Sequence, residues 1–260
     1  MISHKDFAVE FAYKAGEIIR DNFWKDNKTE WKSDNTLVTH IDNQINTLFI
    51  QAVQNTFPTH SILGEEESYM QENSEYTWIC DPIDGTASFT MTIPTSTCGI
   101  ALLHHNDLIL SVIYDPYMDR LYASEKGKWT ICNNQKIQVM DSSDMTKYYI
   151  SAASWSGSKY NINYLRPYMK DHRRKITSAG SIHYAWSLVA AGKMIGCVFG
   201  WNTIHDIAPV HSIVQEAWWT VTDLFWDPID YTQELKGMIA SNGIAHKQIL
   251  HIIQEVIKNL

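Results

Sequence analysis

At 260 residues, with 45% hydrophobic and 19% charged content, the chain can bury the core of one large domain or of two closely packed lobes. Its formal net charge of −8 argues against nucleic acid or an anionic membrane as partner, since both call for basic patches. No apolar run reaches the roughly 18 residues of a membrane span, and the polar first residues lack a signal-peptide core, so a cytoplasmic protein is expected.

Phe7, Ala8, Phe11, Ala12, Ala15, Ile18, Ile19 and Phe23 recur at helical spacing and predict an amphipathic helix over residues 6–23. The polar stretch 26–35 reads as a loop or mobile hairpin. Leu37-Val38-Thr39 leads into a second helix carrying Ile41, Ile45, Leu48, Phe49, Ala52 and Val53 on one face. Asp42 falls in its first turn, where the macrodipole favours a carboxylate. Ser61-Ile62-Leu63 reads as a short strand ending in Gly64-Glu65-Glu66-Glu67. Three glutamates in a row are ordinarily a solvated surface run, but a strand end after a glycine is a place from which a side chain projects into a cleft. Residues 69–76 read as a loop. Trp78-Ile79-Cys80 is a buried strand that delivers Asp81 and Asp84. Pro82, with no N–H and a fixed φ, is expected to turn the chain out of the ladder. Gly85 and Thr86 then open a helix with free N–H groups that suit a phosphate.

Residues 97–103 and 108–114 form a predicted hairpin with His104-His105-Asn106-Asp107 at its tip. The paired histidines read as an exposed turn, because nothing nearby is expected to supply more ligands. Strands are expected at 120–124, 129–132 and 137–140, separated by turn signals. This half is therefore α+β, an antiparallel sheet backed by two helices. The polar segment 141–147 marks a boundary between an N-terminal lobe, 1–145, and a C-terminal lobe, 146–260. In the second half a strand at 148–153, a helix at 162–169, a strand at 175–177, a helix capped by Ser181 and a strand at 195–199 follow in turn. An apolar helix opened by Asp206, with Pro209 in its first turn, a strand at 237–241 and a helix at 245–257 complete an α/β arrangement. Cys80, Cys98, Cys132 and Cys197 are scattered without a CxxC pair and read as reduced thiols rather than a zinc or disulfide framework.

Glu65, Asp81, Asp84 and Asp206 each stand at a strand end or helix start. Alone, Asp206 reads best as an N-cap. Together, like charges gathered at one place are a poor stability device and a good cation site, and an oxygen-only donor set points to Mg²⁺ or another hard cation rather than zinc. Gly64-Glu65-Glu66, then Asp81-Pro82-Ile83-Asp84-Gly85-Thr86, then Asp206 at a helix start resemble the inositol monophosphatase family. The resemblance runs over nearly the whole chain, through Lys32 with Leu37-Val38-Thr39 and Asp42, Cys98-Gly99-Ile100-Ala101-Leu102, Asp115-Pro116, Lys126-Gly127 and Met238-Ile239-Ala240-Ser241-Asn242 in order.

That resemblance implies a layered αβαβα sandwich, a homodimer, and lithium-sensitive, Mg²⁺-dependent hydrolysis of the phosphate monoester of a small metabolite, with two or three ions. Glu65, Asp81 and the Ile83 carbonyl would hold one metal; Asp81, Asp84 and Asp206 would hold a second. Asp84, Gly85 and Thr86 would meet the phosphate, and Thr86 with Asp42 and Glu65 would position or deprotonate the attacking water. Glu66 and Lys32 would orient the ligand carboxylates. No covalent nucleophile adjoins the motif, which favours direct attack by water.

Three places depart from the family pattern. His205 stands where an aromatic residue usually precedes the last metal aspartate. Glu216-Ala217-Trp218-Trp219 replaces Glu-Ala-Gly-Gly, whose glycines permit angles that tryptophan adopts only with strain. No Asp or Glu lies between Ile195 and His205, where inositol-hydrolysing members carry an acid; Phe199 or Gly200 falls there. Histidinol phosphate, a fructose bisphosphate and adenosine bisphosphate are thus alternative substrates within the class. Asp206-Ile207-Ala208-Pro209 is similar to the histidinol-phosphatase branch, whereas no basic cluster suits a second phosphate. A catalytically weak scaffold or regulatory partner is the reading from a different class, and the retained carboxylates argue against it.

Overall fold

A computed structural model describes residues 2–33, 36–153, 159–218 and 220–258. Helix α1 (His4–Asn22) starts at Ser3, whose hydroxyl accepts from the Asp6 N–H, and buries Phe7, Phe11, Ala15 and Ile19 along one face. Strands β1 (Thr29–Trp31) and β2 (Leu37–Thr39) pair antiparallel, so the polar stretch between the first two helices is a hairpin. Helix α2 (His40–Thr56) opens with a reciprocal cap. The Thr39 hydroxyl accepts from the start of the helix while the Asp42 carboxylate accepts from the Thr39 N–H at 2.8 Å.

The first sheet is built from residues 61–136. Strand β3 (Ser61–Gly64) lies parallel to β4 (Tyr76–Asp84). After the one-turn helix α3 (Thr86–Thr90) come β5 (Thr97–His104), β6 (Asp107–Asp115), β7 (Arg120–Glu125), β8 (Ile131–Cys132) and β9 (Gln135–Lys136), antiparallel in sequence order. Two expectations are corrected here. Pro82 does not turn the chain out of the ladder: β4 runs through it, and the register with β5 shifts between Asp81, opposite Gly99, and Asp84, opposite Thr97. A bulge leaves residues outside the hydrogen-bond ladder, which is where a strand tolerates proline. Residues 137–140 are not a strand. The last hairpin closes earlier, at Asn133 and Asn134 with φ of 47° and 64°, so Gln135-Lys136 is the returning strand instead of part of a turn.

The second sheet contains β10 (Tyr149–Ala153), β11 (Lys175–Thr177), β12 (Gly196–Phe199), β13 (Thr220–Thr222) and β14 (Met238–Ser241) in the order β11-β10-β12-β14-β13. The first three are mutually parallel and the last two antiparallel. Its helices are α4 (Leu165–Asp171), α5 (Ile182–Ala190), α6 (Ile204–Gln215) and α7 (His246–Lys258). Helix α6 starts at Ile204 after Thr203, earlier than the sequence suggests, which puts Asp206 within the first turn and Pro209 in the second.

The layers follow from which face each helix covers. Helices α1 and α2 pack on one side of the first sheet around Phe49 and Trp78. Helices α5 and α6 lie between the sheets, α6 against β4, β5 and β6 and α5 against β12. Helices α4 and α7 close the far side of the second sheet with Met169, Ile249 and Ile253. The result is the αβαβα sandwich. Cys80, Cys98 and Cys197 are buried free thiols, and Cys132 is a half-buried one. Trp218 takes a glycine-like φ of 71°, is 70% exposed and stacks on Trp129 at 5.2 Å; Trp219 lies outside the described residues. No helix among the described residues is long and apolar enough to cross a membrane.

Phe49 is fully buried among Phe7, Phe11 and Trp78. Phe49→Ala is expected to lower the unfolding free energy by about 3–5 kcal/mol in urea titrations. A loss below about 1 kcal/mol would contradict this packing.

Candidate active site

Strands β3 and β4 are in register with Gly64 opposite Cys80, and the Glu65 N–H donates to the Cys80 carbonyl at 3.0 Å, so Glu65 leaves the sheet beside Asp81. Lys32 reaches in from beyond β1 and places its Nζ 2.7 Å from Glu65 Oε1 and 2.7 Å from Glu66 Oε1. Burial works against the ammonium charge, but the two carboxylates outweigh it and hold its pKa above the ordinary value. Burial and the Glu65 charge raise Glu66.

Asp84 is fixed by the start of α5. Its Oδ1 accepts from the Ile182 N–H at 3.2 Å, its Oδ2 from the His183 N–H at 2.8 Å, and the Ser181 hydroxyl donates to it as well. A carboxylate at a helix N-terminus meets unpaired N–H groups and the positive end of the macrodipole. Gly85 follows with a φ of 84°, and a Cβ there would fall 2.8 Å from Ser181 Cβ and 2.9 Å from the Gly180 carbonyl. A side chain at this position would push apart the two segments that meet at Asp84. The Thr86 hydroxyl lies 3.2 Å from Asp42 Oδ1 and 3.1 Å from the Ile83 carbonyl, so it donates to one or the other. Asp42 is thus both the cap partner of α2 and a neighbour of the motif, and neither role displaces the other. Asp206, from the second half, accepts from the Thr203 hydroxyl.

The electrostatics tie these groups into one site. Burial, then the charges of Glu65, Asp84 and Asp206, raise the Asp81 carboxyl well above the ordinary value. Burial pushes Asp42 up to about 7. Burial and Asp84 push Asp206 up to about 7. One Asp81 oxygen, Oδ1, is buried with no hydrogen-bond partner. Buried polar atoms are normally satisfied, so an orphan acceptor among repelling carboxylates fits a hard divalent cation. The residues that could hold it are Glu65, Asp81, Asp84, Asp206 and the Ile83 carbonyl.

Within this set the structure brings Asp81 and Asp84 together with a residue the sequence reading missed. The ligand atoms of Asp81, Asp84 and His183 all lie within 4.8 Å of one another. His183 sits one residue after Ile182, on the helix start that binds Asp84, and that shared cap is the sequence signal that could have exposed it. His205 places Nε2 3.9 Å from Asp206 Oδ2, and its burial lowers its pKa. At the β5–β6 tip the paired histidines do have a third donor, Glu75, at 3.8 Å from His105 Nε2. That trio lies at the surface, with Glu75 and His105 exposed.

The folded pKa values of Asp42, Asp81 and Asp206 exceed their unfolded values, so the metal-free fold holds protons that the unfolded chain releases between about pH 4 and 7. Its stability falls as pH rises through that window. Cations require the deprotonated form, so the rise in Tm on adding Mg²⁺ is expected to grow from about pH 5 to about pH 8. Thermal melts giving the same increment at both ends would contradict the assignment.

The description "Inositol monophosphatase family" matches residues 3–258. Inositol monophosphatase 1 of Bos taurus is 30% identical over 96% of this chain and 93% of its own length. The solved structure of a Thermotoga maritima IMPase superposes with a TM-score of 0.89 at 25% identity, covering 98% of each chain. An IMPase/NADP phosphatase solved with Mg²⁺ and phosphate gives a TM-score of 0.80 at 26% identity, over 95% of this chain and 93% of that one. The chain belongs to the inositol monophosphatase family and is a phosphoric monoester hydrolase.

Proposed function

We propose that the chain hydrolyses a small alcohol phosphate by direct attack of water, with Mg²⁺ as its natural cation. The observation that carries this reading is an orphaned Asp81 oxygen beside Asp84 at the Gly85-Thr86 helix start, with the charges of Glu65 and Asp206 acting on the same carboxyl. A family neighbour crystallised with Mg²⁺ and phosphate supports it. Glu65, Asp81 and the Ile83 carbonyl would hold one ion, and Asp81, Asp84 and Asp206 a second. Bound there, divalent cations supply charge neutralisation to the phosphate and lower the pKa of an attacking water.

The chain's own residues do the rest. The first N–H groups of α3 have no carbonyl within the helix to bond and suit phosphate oxygens. The Thr86 hydroxyl links that position to Asp42, whose carboxyl at about 7 is matched to taking up a proton near neutrality. Lys32 pins Glu65 and Glu66 through Nζ, keeping the carboxylates oriented. Phe199, at the place of the acid found in inositol-hydrolysing members, is buried on β12 opposite Met238 and leaves no carboxylate there for sugar-like hydroxyls. The specific substrate is therefore best sought with inositol monophosphates, histidinol phosphate, fructose bisphosphate and adenosine bisphosphate side by side. Lithium inhibition and a homodimer belong to the same reading and rest on the family resemblance, and a cytoplasmic location is proposed with them.

Asp84→Asn removes a ligand charge and keeps one acceptor oxygen for the α5 N–H groups, which now bond two different carboxylate oxygens. It is expected to lose nearly all Mg²⁺-dependent phosphate release while its circular dichroism stays that of the parent. Near-normal turnover would contradict the assignment. Thr86→Val should lower kcat by about 10²-fold or more, with a smaller change in KM, if the hydroxyl acts on the reacting water.

A further inference from the structure

His183 is buried, and its Nε2 faces two carbonyl oxygens, those of His205 and Asp206, each at 3.2 Å. A carbonyl only accepts, so Nε2 carries the hydrogen and the neutral ring has its lone pair on Nδ1. That nitrogen is buried and without a hydrogen-bond partner, as is Asp81 Oδ1.

Two other residues build the seat. Pro209 has no N–H, so the His205 carbonyl four residues before it lacks its helical donor, and His183 Nε2 supplies one. Gly99 lies opposite Asp81 on β5. A Cβ at Gly99 would fall 2.3 Å from His183 Cε1 and 2.4 Å from Nδ1, so glycine is what admits the imidazole. Opposite ligands at about 2.1 Å from an ion stand about 4.2 Å apart, and the Asp81, Asp84 and His183 donor atoms within 4.8 Å span that distance with a small adjustment.

We propose that His183 Nδ1 is a ligand of the cation shared by Asp81 and Asp84, making that position a mixed nitrogen–oxygen site. The inference rests on the cation-dependent reading above and sharpens it. Imidazole favours transition metals over Mg²⁺, so the site should take Mn²⁺ well beyond what oxygen ligands alone would give.

The test is pulsed electron paramagnetic resonance of Mn²⁺ bound to the full chain. Nitrogen modulation is expected in the parent protein and should change when histidine is supplied with ¹⁵N, which requires no substitution. His183→Gln and Gly99→Ala should each lose the modulation, and His205→Gln should keep it. His183→Gln should also weaken Mn²⁺ binding by about 10-fold or more with a smaller effect on Mg²⁺. Mn²⁺ bound with oxygen-only spectra in the parent protein, or modulation lost only in His205→Gln, would overturn the assignment and leave the phosphatase reading intact. Absence of Mn²⁺ binding, together with phosphate release that needs no divalent cation, would overturn both.

Discussion

The constraint on which this structure depends is negative charge held where water does not reach it. Asp42, Asp81, Asp84 and Asp206 are all buried, and Glu65 stands beside them with Lys32 as a partner. Desolvation and mutual repulsion both oppose ionisation of such a group, and a fold would not keep it for stability. Each carboxylate is instead anchored by a different element: Asp42 by the α2 cap, Asp84 by the start of α5, Asp206 by Thr203, and Glu65 by Lys32. The anchors spend hydrogen bonds on orientation, and the charge they orient suits cations and, through them, phosphate.

The layered fold exists around that arrangement. The two sheets are separated by α5 and α6, and these helices carry the contributions of the second half to the site: Ser181, Ile182 and His183 at one helix start, His205 and Asp206 at the other. The first half contributes the strand ends of β3 and β4 and the bulge at Pro82, which lies between Asp81 and Asp84 while these two stay paired with Gly99 and Thr97. The proposed donor set draws on both halves, so on that reading the interior helix layer serves the site as well as the core.

The motif from Asp81 to Thr86 was legible because its chemistry is local: two acids, a proline, and a helix start within six residues. Glu65 was legible from its place at a strand end. The helices read correctly wherever their apolar stripe is long, as in α1, α2 and α7, and the capping of α5 by Ser181 read correctly because it too is local. What failed was set by partners distant in sequence. Residues 137–140 look like a strand but find no ladder, and Pro82 looks like a strand breaker until a bulge accommodates it. His183 was invisible because its meaning depends on a missing side chain at Gly99 and a missing N–H at Pro209. Trp218 shows the converse case, a bulky residue in a glycine-like conformation, held against Trp129 at the surface.

The buried carboxylates are proposed to hold cations. Crystals of the protein soaked in Mn²⁺, with data collected at the manganese absorption edge, test it most directly. Anomalous peaks bounded by Asp81 and shared among Glu65, Asp84 and Asp206 are expected. Peaks confined to surface groups such as Glu75 and His105, with the Asp81 pocket holding none, would contradict it.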